Sequence, residues 1–399
     1  MRKPGRLDRG PAPFALERYF ARHEFSARYL LSASDCQGPS MAELLAGADD
    51  ELRGRWDRLT LGYTESQGLP ELRAGIAELY EQVSADQVLV AAPEEAILLA
   101  MLALLSPGDH VVCTFPGYQS LYQVARTIGC TVDLWLPDEE AGWHFDPAEL
   151  ERLLRPGTRL VVWNFPHNPT GALPSVADFA RMVEAVAGAG AWLFSDEMYR
   201  LIEPSPELRL PAAADLYERA VSLAGMSKAF GLAGLRIGWL ATRSGAALQR
   251  MKELKDYTTI CAAAPSEILT LMALRARQSI LDTLVARIAQ NLETARAFFA
   301  GHAEIFDWVP PQAGTVCFPR LKAARATGGH SPASEARATG TVRSAGEFCA
   351  RVLEHTGVLL LPSTVYDYDD SHFRLGLGRK DFGEGLAALD DFLRAGSGL

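Results

Sequence analysis

Between residues 88 and 223 short apolar runs alternate with helical stretches, and no other feature limits the fold of this chain as much. Val88-Leu89-Val90 precedes an apolar helical stretch over 95–105. Ser106-Pro107-Gly108-Asp109 then turns the chain into His110-Val111-Val112-Cys113. Further strands are expected at 131–135, Leu160-Val161-Val162-Trp163, Trp192-Leu193-Phe194 and Val221-Ser222-Leu223. Helix starts lie between them. Asp146-Pro147-Ala148-Glu149 offers a cap, a proline for the first turn and an acid three residues after the cap; 175–178 opens another helix. Strands that alternate with helices build a mostly parallel sheet with helices on both faces. Ligands of such sheets bind beyond the carboxyl ends of the strands. Residues that directly follow strands therefore carry the interest: 164–171, Asp196 and Lys228.

After about Ser266 the pattern changes. A long helical stretch runs through the 270s to Phe299, and short strands are expected at 305–308, 316–318, 358–361 and 373–375, with helices near 345–356 and 381–394. This reads as a smaller α+β domain. The expected division is an N-terminal segment, 1–45, that joins the small domain; a large domain, 46–275; and the small domain, 276–399. Within the last, 322–344 is rich in Ala, Gly, Ser, Thr and Arg without apolar period, and reads as a long mobile loop, with a lid over the substrate as the functional alternative.

Composition excludes several classes. The 399 residues are 48% hydrophobic and carry a formal net charge of -10, which gives no electrostatic reason to bind nucleic acid or an anionic membrane. The six cysteines are scattered without the close spacing of a zinc site or redox pair, which suits buried thiols in a reducing compartment. Arg2, Lys3, Arg6 and Arg9 resemble the start of a signal peptide, but Pro11, Pro13, Glu17, Arg18 and Arg22 interrupt any apolar stretch behind them, and no apolar run reaches membrane-spanning length. The expectation is a cytoplasmic enzyme.

Lys228 sits in Ser227-Lys228-Ala229-Phe230-Gly231-Leu232-Ala233-Gly234-Leu235-Arg236. A lysine amine attacks carbonyls once it is neutral, and burial favours the neutral form. Alone, the segment would read as a surface loop. Asp196 ends an apolar strand, where a carboxylate can face a cationic ring nitrogen or simply cap a helix. Asn164-Phe165-Pro166-His167-Asn168-Pro169-Thr170-Gly171 can present Asn168 to a phenolic oxygen or be a plain turn. His167 is expected to pack in that turn, and Cys36 to be a small buried thiol.

Asn168-Pro169-Thr170-Gly171, Asp196 with Tyr199, Ser227-Lys228 with Arg236, and Arg374 in Phe373-Arg374-Leu375-Gly376 occur in that order. With these motifs the chain resembles the class I/II aminotransferases, fold-type-I pyridoxal-phosphate enzymes, from about Leu61 to the C-terminus. The resemblance implies an α/β fold: a large domain with a mostly parallel seven-stranded sheet between helices, and a smaller α+β domain. It implies pyridoxal 5'-phosphate held as a Schiff base on Lys228, which then shuttles the substrate proton. Asp196 would pair with the pyridine nitrogen, Asn168 and Tyr199 would bond the phenolate oxygen, and Tyr118 would stack on the ring. Ser227 and Arg236 would grip the phosphate, together with the loop that here contains Pro93 and Glu94. Tyr63 would reach the phosphate of a neighbouring subunit, which implies a homodimer. Arg374 would take the substrate α-carboxylate in a two-bond fork.

Two positions depart from the family's pattern. Gly225 stands where Ser or Thr is common, and Ala92-Pro93-Glu94 replaces Gly-Ala or Gly-Ser, although a proline has no N–H to offer a phosphate. The implied reaction is transamination between an L-amino acid and a 2-oxo acid. A looser resemblance to capreomycidine-synthase-like enzymes, in Leu16-Glu17-Arg18-Tyr19-Phe20, 164–169, Asp256-Tyr257 and Phe318-Pro319-Arg320, raises elimination and cyclisation of a hydroxylated amino acid as the alternative. A ligand-binding module of a transcription regulator is the third reading; the intact Lys228 and the early start of the motif-bearing region stand against it.

Overall fold

A computed structural model describes residues 10–325 and 343–396. Seven strands form its main sheet: β1 (Val88–Ala91), β2 (His110–Thr114), β3 (Thr131–Trp135), β4 (Thr158–Asn164), β5 (Trp192–Asp196), β6 (Ala220–Gly225) and β7 (Gly238–Ala241). Their order is β1-β7-β6-β5-β4-β2-β3. Only β7 runs against its neighbours, antiparallel to both β1 and β6, so β1 points the same way as the five parallel strands.

The apolar runs fold as central strands because both faces are covered. In β4, Leu160 and Val162 enter one core, while Val161 and Trp163 enter the core on the other face. β2 and β5 divide their side chains in the same alternating manner. The first core includes the helix Pro93–Leu104, which buries Ala96, Ile97, Leu99, Ala100, Met101 and Leu104. The second centres on Trp135, Trp163, Phe165 and Phe179, with the Trp163 indole N–H donating to Ser195 Oγ at 2.8 Å. Each such side chain contributes roughly 1.5–3 kcal/mol when fully buried. Asp146 and Ser175 cap the helices Pro147–Leu153 and Val176–Gly188, as their sequences require.

The second half has shorter strands. Leu361–Pro362, Phe373–Gly376 and Val316–Cys317 form a three-stranded sheet, and Arg320–Leu321 pairs with Phe306–Asp307. Helices Arg277–Gly301, Ala345–Thr356 and Phe382–Arg394 accompany them. The N-terminal segment docks here: Tyr29 bridges Val358, and the Gly376 N–H donates to the Leu31 carbonyl at 2.7 Å.

Several expectations need correction. β7 was not located in the sequence, although the resemblance implies a seventh strand. The long helical stretch is two helices, Ala264–Arg275 and Arg277–Gly301, broken at Ala276. The strand expected at 358–361 pairs only from Leu361 onward, because Val358 turns instead to Tyr29. Lys322–Arg325 begins the expected loop as a short helix, and the rest of that stretch lies outside the described residues apart from Arg343 and Ser344.

Candidate active site

Three adjacent parallel strands deliver the site. Asn164 at the end of β4 pairs in register with Asp196 at the end of β5, and Lys228 follows β6 by three residues. A cavity of about 360 Å³ opens beyond these ends and is also lined by Asn168, Tyr199 and Arg374. Of the remaining expected site residues, Tyr118, Ser227, Arg236, Pro93 and Glu94 line it as well.

Backbone and side-chain hydrogen bonds fix the floor. Asn164 Nδ2 donates to the Asp196 carbonyl at 3.0 Å, and its Oδ1 accepts the Asn168 N–H at 2.8 Å. The turn that carries Asn168 is thus tied to both strand ends. Asp196 Oδ1 accepts the Met198 N–H at 3.1 Å. Burial pushes the Asp196 carboxyl up to about 7, against the pull of that N–H and of the Lys228 charge. Burial also lowers the Lys228 ammonium from its ordinary value, with the Asp35 and Asp196 carboxylates opposing. Lys228 Nζ donates to Ser34 Oγ at 2.9 Å.

Arg374 is 1% exposed. Its Nε and Nη2 donate to the Ser32 carbonyl at 3.0 and 2.6 Å, and its Nη1 donates to Asn168 Oδ1 at 3.1 Å and Tyr366 Oη at 2.6 Å. The Tyr366 hydroxyl in turn donates to Asn168 Oδ1 at 3.2 Å. Sequence reasoning missed Tyr366, which joins the arginine to the asparagine.

The first helix adds a second unforeseen wall. Glu17, Phe20 and Glu24, from Ala15–His23 and its C-cap, line the cavity with Asp35. Asp35 pairs with Arg379 at 3.2 Å, whereas neither Glu17 nor Glu24 has an ion-pair partner among the described residues. Burial raises Glu24 above the ordinary carboxylate value, and the like charges of Asp35 and Glu17 add to it. The fragment 16–20 had been noticed in the sequence, but not as a charged wall.

Both departures from the family's pattern have a physical reason. A Cβ on Gly225 would meet Gly238 Cα at 2.9 Å, so the close approach of β6 and β7 leaves no room for Ser or Thr. Pro93 stands in the first turn of its helix, where a missing N–H costs nothing to the helix itself. His167 packs in its turn as expected, with Nδ1 and Thr170 Oγ1 2.8 Å apart, and burial holds it down to about 3. Cys36 is buried, and burial pushes its thiol up to about 12. Tyr63 does not line the cavity of its own chain: it is 91% exposed.

The family model for "Aminotransferase class I and II" matches residues 30–381. The chain belongs to the class I and II aminotransferases. It is 30% identical over 398 residues to capreomycidine synthase of Streptomyces vinaceus, covering 98% of this chain and 96% of that protein. A PLP-dependent aminotransferase from Streptococcus suis 89-1591 superimposes with a TM-score of 0.86 at 28% identity, covering 96% of this chain and 98% of the other. The PLP-dependent cyclase OrfR gives the same TM-score at 30% identity, covering 98% and 99%. This aminotransferase is therefore a pyridoxal-phosphate-dependent enzyme, and the cavity fits that cofactor. The buried Tyr199 hydroxyl finds no hydrogen-bond partner among the described residues, although Ser34 lies close by, and the buried Asp196 carboxyl makes no ion pair among them.

Proposed function

We propose that this aminotransferase moves the amino group of an L-amino acid to a 2-oxo acid, with Lys228 as the catalytic base and Arg374 as the carboxylate receptor. The observation that carries the reading is the joining of three groups in one cavity: an amine driven toward neutrality, a buried carboxylate and a buried arginine. Bound on Lys228, pyridoxal phosphate supplies an electron sink for the carbanion at substrate Cα. Asp196 would hold the ring nitrogen in its protonated form. Tyr199 and Asn168 Nδ2 would donate to the phenolic oxygen, and the Tyr118 ring would cover one face. Ser227 and Arg236 would hold the phosphate. Arg374 would orient the α-carboxylate of donor and acceptor in turn. Released by the incoming amine, Lys228 Nζ would take the proton from substrate Cα and return it at cofactor C4′, work worth roughly 10²–10⁴-fold in rate.

The side-chain end of the cavity bears on the donor. Arg374, Lys228 and Arg236 are assigned to carboxylate, carbonyl and phosphate, and Asp196 to the ring nitrogen. Glu17 and Glu24 remain without a cationic partner, so a donor with a positively charged side chain fits best. A second reading is elimination with cyclisation, favoured by the match of capreomycidine synthase and OrfR to nearly the whole chain. The exposed Tyr63 supports a homodimer in which it reaches the partner's phosphate. The unpaired cysteines support a cytoplasmic setting.

One assay separates these readings. The reconstituted enzyme is mixed with single amino acids, basic, acidic and aromatic, some hydroxylated, without 2-oxo acid. Conversion of the cofactor to pyridoxamine phosphate with one equivalent of 2-oxo acid is expected, fastest with basic donors. Loss of water or ammonia from substrate with the cofactor unchanged would establish the second reading and remove the first.

A further inference from the structure

Glu94 is the residue at the cofactor site that the family's chemistry leaves unexplained. It occupies the second position of the helix Pro93–Leu104, behind a proline without an N–H, and its side chain lines the active cavity. By area it is exposed, yet protein packs around its carboxyl closely enough to disfavour the charge. Oε1 accepts a hydrogen bond from Ser120 Oγ, and Tyr118 lies near enough to favour the carboxylate. The other charged groups that face it are Glu17 from the first helix, Arg236 and Asp196.

The geometry of the cofactor decides which of its groups approaches Glu94. On a pyridoxal ring the phosphate arm and the phenolic oxygen lie on opposite sides of the line from the ring nitrogen to the carbonyl carbon. With the nitrogen at Asp196, the carbonyl carbon at Lys228 and the phenolic oxygen at Asn168 and Tyr199, the arm points to the side of Ser227, Arg236 and Glu94. That placement rests on the function proposed above. A phosphate dianion would then share its end of the cavity with a carboxylate.

We infer that Glu94 holds the cofactor phosphate as a neutral carboxylic acid, so that cofactor binding draws one proton from solvent onto its carboxylate. The acid O–H donates to a phosphate oxygen and replaces the donor that Pro93 cannot supply. Burial raises this carboxyl above the ordinary value, with Ser120, Tyr118 and Arg236 opposing and Glu17 reinforcing. A dianion beside it drives the same equilibrium further.

The test is calorimetric titration of apoenzyme with pyridoxal phosphate at pH 8, in two buffers of different ionisation enthalpy, which counts the protons exchanged on binding. Wild type and Glu94→Gln are compared, because the amide donates as the neutral acid would but exchanges no proton. The expected result is close to one more proton taken up by wild type. The affinity of wild type should also fall up to tenfold per pH unit more steeply than that of the variant. Ser120→Ala is the second probe: without the hydroxyl that favours the carboxylate, Glu94 is already more protonated before cofactor arrives, and the uptake shrinks. Equal uptake in wild type and Glu94→Gln, or a variant that binds cofactor more weakly at high pH, overturns the inference. Failure of the cofactor to develop its yellow absorbance on Lys228 would instead overturn the proposed function, and the two failures are read on separate instruments.

Discussion

Replacing Asp196 by Asn should stabilise the apoenzyme, and the gain should grow with pH. The folded chain holds this carboxyl at about 7, with burial as the main cause. An unfolded aspartate titrates near 4. The sign follows from the raised value. Below about pH 4 both states are protonated and the penalty is absent. Between about pH 4 and 7 the unfolded state ionises while the folded state does not, so stability is lost as pH rises. Above 7 both are ionised and the full loss remains. Each pH unit in that window costs about 1.4 kcal/mol, so the sum approaches 4 kcal/mol as an upper bound. Asn keeps the acceptor for the Met198 N–H and removes the titration.

The assay is thermal unfolding of apo wild type and Asp196→Asn from pH 5 to 8. At pH 5 the two should differ by only about a third of their separation above pH 7, which is on the order of 5 °C. Pyridoxal phosphate should reverse the order, because a protonated ring nitrogen gives the wild-type carboxylate its counter-charge and gives Asn none. A melting difference that is constant across pH would refute the buried-carboxyl reasoning. A cofactor-induced gain as large in the variant as in wild type would separate Asp196 from the ring nitrogen.

Lys228→Ala should abolish the yellow absorbance of bound cofactor, as read by simple spectrophotometry; unchanged absorbance would point to another lysine. Arg374→Ala should raise the KM for amino donors roughly a hundredfold, since a two-bond charge-assisted fork is worth about 3 kcal/mol, while cofactor stays bound in equilibrium dialysis. Tyr366→Phe removes the hydroxyl that joins Arg374 to Asn168 and should raise KM about five- to tenfold with kcat less affected, the signature of a positioning residue. Gly225→Ser, which restores a residue common in the family, should destabilise the protein by about 1–3 kcal/mol in denaturant titration through overpacking against Gly238.

The parts of the fold that could be read from sequence are those whose chemistry is local. Six of the seven sheet strands announce themselves by apolar or β-branched runs, and Asp146 and Ser175 by their hydrogen-bonding side chains. β7 did not, because Gly238-Trp239-Leu240-Ala241 is short, has no β-branched residue and follows the lysine loop after only a few residues. The strands of the second half are two to four residues long: four of them overlap the expected stretches, whereas Arg320–Leu321 is too short for a period to show and was not foreseen. Among site residues, those that meet the cofactor were legible because its ring, carbonyl and phosphate each demand a particular side chain in a particular order. Tyr366 was not: its partner Asn168 lies 198 residues away, on the far side of the molecule's chain order. Glu17 and Glu24 belong to an ordinary amphipathic helix until docking turns one of its faces toward Lys228.

The phosphate end of the site shows why residue-by-residue comparison with a family falls short. Read singly, Gly225 and Pro93 are two lost phosphate donors. In the folded chain they meet at one place, since a Cβ on Gly238 would touch Pro93 Cγ at 3.0 Å and the Ala224 carbonyl at 2.9 Å, while a Cβ on Gly225 would strike Gly238 itself. A strand pair this close excludes the hydroxyl at 225, and the proline ring packs over the space that the glycine leaves. The two substitutions therefore share one packing site around Gly238. What the cofactor loses in donors on that side must come from groups that the same packing leaves free to face the cavity. Glu94, next to the proline on the same helical turn, is the nearest of these along the chain, and as a carboxyl it can donate only when it carries a proton.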